Sequence, residues 1–228
     1  MSRKRFWCSV AAMLVAAVSA VAYPQNSLTL DEVFSKIDAV SKTFRSVEAA
    51  VEQTKVTVIV NDRDVKSGKI YYTKRGEEPR LKLEFTKPQE EFVLIDKGKL
   101  QVYTPKIKQV QEASTAGHQD LVQMFLALGF GQTSQDLKKS FDVALAGDEV
   151  VDGQKRTVLD LKPKNSGTFQ SVRIWLDQKE WHAVQIKTTE KSGDYLIVKY
   201  SNIKMNGSIP DSRFKLDLPK DVKVIKLA

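Results

Sequence analysis

Over most of its length this chain places apolar side chains at every second position. Only an extended strand turns alternate residues to one face, so the pattern dictates a sheet protein. Val56, Val58 and Val60 alternate with polar partners, followed by Ile70 and Tyr72, then Leu81, Leu83 and Phe85. Phe92 to Ile95 is a short continuous apolar strand, and Leu100 with Val102 leads to an edge at Pro105. Ile107 with Val110 suggests one more short strand. A second group begins near Val143 and includes Leu159 and Leu161, Val172, Ile174 and Leu176, Val184 and Ile186, and Leu196, Val198 and Tyr200. Polar turns such as Asn61-Asp62-Arg63-Asp64, Asp96-Lys97-Gly98-Lys99 and Lys191-Ser192-Gly193-Asp194 join neighbours as hairpins, which makes the sheet antiparallel. Ten or eleven strands are expected, and a twisted sheet of that size must curl, with its apolar side concave.

Two regions break the period of two. Thr29-Leu30-Asp31-Glu32 has the form of a capping box. Leu30, Val33, Phe34, Ile37, Val40, Phe44 and Val47 then follow at spacings of three and four, as one stripe on a helix of four to five turns. In the middle of the chain Leu121, Met124, Phe125 and Leu128 have helical spacing and end at Gly129-Phe130-Gly131. Thr133-Ser134-Gln135-Asp136 can cap a further short helix that reaches Phe141. Apolar stripes on helices need a surface to cover, and the concave sheet needs a cover. The expected fold is α+β, an open antiparallel half-barrel of about eleven strands with an α-helical lid over an apolar cavity. No internal repeat or domain linker interrupts it.

The first 22 residues read as a secretory signal peptide, apart from the fold. Arg3, Lys4 and Arg5 precede an apolar run from Phe6 to Val18, and Ala20-Val21-Ala22 has the small-x-small form read by signal peptidase. That run is short for a membrane span. The sole cysteine, Cys8, lies inside it rather than at the cleavage point, so neither a disulfide framework nor a lipid attachment is expected. Residues 23–228 would form a single domain, exported to the periplasm as a soluble monomer. Cleavage removes three of the 36 basic residues and no acidic one, which lowers the net charge from +8 to +5. The basic residues, 27 of them Lys, are scattered singly along strands instead of forming a stripe with Arg and exposed aromatics, so nucleic acid is not an expected partner.

Groups able to do chemistry are few. His118 lies in a polar loop and His182 follows Trp181 on a strand, with no nucleophile motif near either. Two histidines and one cysteine make a metal centre of such ligands implausible. Gly129-Phe130-Gly131 lacks the Lys-Ser/Thr ending of a phosphate loop. No enzyme, metal or cofactor is expected. A large apolar concave surface with little polar chemistry suits a carrier of something greasy, and equally suits an ordinary packed core.

Several motifs resemble those of LolA-type periplasmic lipoprotein carriers. Asp96-Lys97-Gly98-Lys99-Leu100, with Tyr103, Pro105 and Gln109, is similar to that family's central hairpin. Gly68-Lys69-Ile70-Tyr71-Tyr72-Thr73-Lys74-Arg75, followed by Pro79 and Leu81, resembles its Gly-x-Leu-Trp-x-Lys-Arg-Pro strand. Phe214, Leu216, Pro219, Val222 and Val224 resemble its closing pattern. The resemblance spans roughly residues 28 to 225. It implies a carrier that takes acylated lipoproteins from an inner-membrane ABC-type release complex to an outer-membrane acceptor. Leu81, Leu83, Phe85, Leu100, Val102, Ile174, Val184, Ile186, Leu196 and Val198 would line the acyl cavity, with Met124, Phe125 and Leu128 meeting them from the lid. The resemblance also implies a strand arginine that latches the lid; here that role falls to Arg75, with Lys74 or Arg80 as alternatives because Gly76-Glu77-Glu78 separates Arg75 from Pro79. A carrier of free lipids, or an envelope-stress sensor built on the same fold, would present the same surface.

Overall fold

The computed structural model describes residues 28–74, 79–115, 130–164 and 169–227. A helix, α1 (Leu30–Thr43), precedes six strands: β1 (Ser46–Thr57), β2 (Asp62–Thr73), β3 (Arg80–Lys87), β4 (Glu91–Asp96), β5 (Lys99–Thr104) and β6 (Gln109–Ser114). A short helix, α2 (Ser134–Ser140), leads into β7 (Phe141–Val151), β8 (Gln154–Pro163), β9 (Phe169–Asp177), β10 (Ala183–Glu190) and β11 (Tyr195–Met205). The last strand is β12 (Lys223–Lys226). All twelve share one sheet in the order β12-β6-β5-β4-β3-β2-β1-β11-β10-β9-β8-β7. The two hairpin groups therefore meet where β1 pairs antiparallel with β11.

The expected half-barrel is present with one strand more than the eleven counted. The additional strand, β12, is four residues long and runs parallel to β6, so the sheet is not wholly antiparallel. Its length gives period-two alternation too few positions to register. The hairpin at Lys97-Gly98 is as expected, with both residues at positive φ as a tight two-residue turn requires.

Element boundaries differ at a few places. The stripe assigned to one helix stops at Thr43: Phe44 is its C-cap in extended conformation, and Val47 already belongs to β1. Val58 and Val60, expected in a strand, form a 3-10 turn with Ile59 at the end of the β1–β2 hairpin, and the polar Asp62-Arg63-Asp64 opens β2 instead. Likewise Ile107 lies in a 3-10 turn between β5 and β6.

The continuous apolar runs Ile70-Tyr71-Tyr72 and Phe92–Ile95 follow from burial on both faces of the sheet. Ile70, Tyr72 and Ile95 join the concave core, with Val93 packed against it. Tyr71 and Leu94 face the other way, under Phe214, with Ile209 and Leu216 packed around them. After β11 the chain crosses the convex face of β1 to β4 as a strap. Asn206 and Gly207 bond to Arg45 and Ser46, and the Arg213 guanidinium lies 4.8 Å from the Tyr71 ring centre. Lys82 Nζ donates to the Lys215 carbonyl at 2.8 Å, and the strap then ends in β12 on the edge of β6.

Candidate acyl-chain cavity

The concave face is where an apolar ligand would bind, and α1 lies across it. Thr29 and Glu32 cap each other's backbone at the start of α1, as the sequence pattern requires. Val33, Phe34 and Ile37 on its inner stripe are buried. Burial of each is worth about 1.5–3 kcal/mol. They meet Leu81, Leu83, Phe85, Ile174, Ile186 and Val198 in a single cluster, with Leu100 and Leu196 half-buried against it. Eight of the ten strand residues expected to face inward therefore belong to this cluster or pack on it.

The other two do not. Val102 is half-buried opposite Val93 but lies outside the cluster, nearer the β5–β6 turn. Val184 sits at an irregularity in the register: Ala183 is opposite Leu176 and Gln185 is opposite Trp175. Ala183 is consequently the buried residue in the cluster, and Val184 is left out of it. One inserted residue switches which side chain faces inward, and strict alternation cannot reveal that. Met124, Phe125, Leu128 and Arg75 lie outside the described residues, as does His118.

The spacing of apolar residues does not reveal how much aromatic packing surrounds the end of α1. Phe44 stacks on Tyr72 at 5.6 Å and on Phe130 at 6.4 Å, and Phe130 meets Tyr200 at 5.0 Å. Gly131 permits this: it has φ +78°, and a Cβ there would lie 2.4 Å from the Phe44 ring. Burial pushes the Tyr72 hydroxyl up to about 12 and raises that of Tyr200 as well, so neither brings charge to the site. A cavity of about 40 Å³ remains beneath this corner, bounded by Ile37, Val40, Phe44, Leu159, Leu176 and the Phe130–Gln132 segment. His182, in the turn before β10 and not on a strand, is one of its few polar neighbours. Gln132 is another, and among the described residues its buried Oε1 has no hydrogen-bond partner. A water needs roughly 10–15 Å³ of such space, so the cavity admits at most a few waters and no acyl chain.

Polar contacts tie α1 to the start of α2 and to the segment before it. The Asp38 carboxylate on α1 accepts hydrogen bonds from the N–H and hydroxyl of Ser134, at 2.6 and 2.7 Å, where α2 begins. Ser41 donates to the Gly131 carbonyl at 3.0 Å. The capping box of α2 mirrors that of α1. The Asp136 carboxyl is held below its ordinary range first by the Thr133 hydroxyl, with Thr133 N–H and the charge of Lys74 adding to the effect against a cost of burial.

The two described alternatives to Arg75 differ in direction. Lys74 is exposed at the end of β2, and its charge reaches Asp136 on α2. Arg80 is committed to the convex face. It bonds to Asp96 at 2.6 Å and Asp211 at 2.9 Å, with its guanidinium 4.6 Å from the Phe214 ring centre. Alternation puts it on the opposite face from Leu81. Arg80 is a clamp for the strap, so Arg80→Leu should lower stability by about 1–3 kcal/mol in a denaturant melt and leave cargo release unchanged in a transfer assay.

Comparison with known proteins supports the fold. The chain is 26% identical over 221 residues to an outer-membrane lipoprotein carrier protein of Pseudomonas putida KT2440, covering 95% of this chain and 96% of the relative. It is 24% identical over 201 residues to an uncharacterized protein of Methanocaldococcus jannaschii, covering 88% of this chain but only 55% of that longer relative. Among solved structures, an uncharacterized conserved protein from Thermus thermophilus shares the fold with a TM-score of 0.56 at 13% identity, over 86% of this chain and 98% of that one. The family model described as outer membrane lipoprotein carrier protein LolA matches residues 42–217, from the last turn of α1 into the strap, and the chain thus belongs to the LolA family.

Proposed function

We propose that this protein is an exported, non-enzymatic carrier that shields the acyl chains of lipoproteins in its concave face. It would receive them from an inner-membrane ABC-type release complex and pass them to an outer-membrane acceptor. The observation that carries this reading is the cover: an amphipathic helix laid with its apolar stripe over an apolar sheet and tied by polar contacts to the start of α2.

The energetics explain why such a cover is useful. Three acyl chains of about 16 carbons expose apolar surface worth on the order of 40 kcal/mol in water, at roughly 0.8 kcal/mol per CH₂. Lifting α1 exposes Val33, Phe34, Ile37 and the sheet beneath, which costs several kcal/mol. Incoming chains replace those contacts. When they leave, the helix returns, so the empty carrier never presents its apolar face to water. Lined by Leu, Ile, Val and Phe, the interior offers dispersion contacts without directional bonds that would hold cargo too tightly. In this scheme Arg75 latches the lid, with Lys74 beside it in sequence.

Mass spectrometry of protein purified natively from the periplasm tests the proposal. Co-purified acylated protein is the expected result. Free lipid alone would make this a lipid carrier, and recovery with neither would favour the sensor reading.

A further inference from the structure

The end of the β1–β2 hairpin has no place in that scheme. Val58, Ile59 and Val60 are 52%, 91% and 68% exposed, three consecutive branched apolar residues at the outermost point of a long hairpin. They are held in a defined shape. Asn61, in the left-handed conformation, donates its N–H to the Val58 carbonyl at 3.1 Å, and the Val58 N–H donates to Asp194 Oδ1 at 2.8 Å from the neighbouring β10–β11 turn. With about three residues per turn, a 3-10 turn projects three successive side chains in three directions. No groove in a partner protein accepts all three from one convex tip without enclosing it. An isotropic apolar medium does.

A second tip has the same construction. Pro105–Ile107 is also a three-residue 3-10 turn closed by a left-handed residue, Lys108, and Ile107 is 60% exposed. Strands β1 to β6 alternate in direction, so the β1–β2 and β5–β6 turns lie at the same end of the sheet. Centre to centre the two turns are separated by about four strand spacings, roughly 19 Å along the sheet. An extended surface reaches both.

We propose that this end of the protein docks on a lipid bilayer, with Val58, Ile59 and Val60 inserted among the acyl chains and Ile107 as a second, shallower contact. The charged residues beside the tip, Lys55, Asp62, Arg63 and Asp64, are mixed in sign, so insertion is driven by apolar burial and not by lipid charge. The inference is independent of the cargo carried in the concave face.

The test uses the full chain carrying Ile59→Trp. Residues 6–18 are themselves apolar, so the signal must be local to position 59. Added to phosphatidylcholine vesicles, the introduced tryptophan should shift its emission to the blue and be quenched by brominated acyl chains, above the background of the wild-type chain. In flotation with phosphatidylethanolamine–phosphatidylglycerol vesicles, Ile59→Asn combined with Val60→Asn should weaken association by about tenfold to a hundredfold. Low and high salt should give the same ratio, and the melting temperature should not change because both side chains are in solvent. An unquenched tryptophan, or equal flotation of the double variant, overturns the proposal. So does a tip whose substitution leaves lipid association intact and instead converts a dimer to a monomer in gel filtration. A photo-crosslinker at position 59 that joins protein and never lipid overturns it equally.

Discussion

Gly68→Ala should destabilise the protein by about 3 kcal/mol or more, seen as a large drop in the urea midpoint or as failure to fold. Gly68 lies on β2 where the register with β3 shifts between Ser67 and Gly68. A Cβ at this position would sit 1.9 Å from the Glu84 carbonyl oxygen and 2.7 Å from the Phe85 Cα. Overpacking a core costs about 1–3 kcal/mol when side chains can move aside. Here the colliding atoms are backbone, and moving them means parting two strands that carry Ile70, Tyr72, Leu83 and Phe85 into the core. Gly153→Ala is the control. Gly153 has φ +74° with nothing within 4 Å of a built Cβ, so only the left-handed backbone is penalised, by about 1–2 kcal/mol. If the two variants melt alike, the close approach at Gly68 is not what makes the position special.

The second large effect concerns the cover. Asp38 and Ser134 already touch through their side chains, so Asp38→Cys with Ser134→Cys, in a chain carrying Cys8→Ser, should form a disulfide that ties α1 to the start of α2. Because α1 then stays over the apolar face that an acyl chain would need, the oxidised protein should bind a fluorescent fatty-acyl probe at least about a hundredfold more weakly than the reduced one. Reductant should restore binding in the same sample. A loss that persists after reduction would reflect damage to the site. Equal binding in both states, with the bond confirmed by mass, would place the acyl site away from α1.

The fold is legible because alternation in strands such as Leu81-Lys82-Leu83-Glu84-Phe85 survives in β3 of the structure. Legibility ends where the chain departs from regular pleating. Val58 and Val60 keep the spacing of a strand but sit in a turn, because apolar residues at a hairpin tip carry no signal of their own. Val184 loses its inward place to a single register shift. Arg80 qualifies as a latch candidate by proximity to Arg75 in sequence, whereas alternation with Leu81 puts it on the convex face. Asp38 and Ser134 escape such a reading because the pair is 96 residues apart; nothing local marks a carboxylate on one helix as the partner of another helix's first N–H.

The seam between β1 and β11 shapes how the molecule must be made. On one side β1 pairs with β2 through a short hairpin, but on the other Glu52 waits for Lys199, far along the chain. Until β11 is available, one edge of β1 stands with its N–H and carbonyl groups unpaired, open to mispairing with other chains. Pairings so distant in sequence make folding slow. For the interval between emergence of β1 and arrival of β11, this protein is itself a client in need of protection.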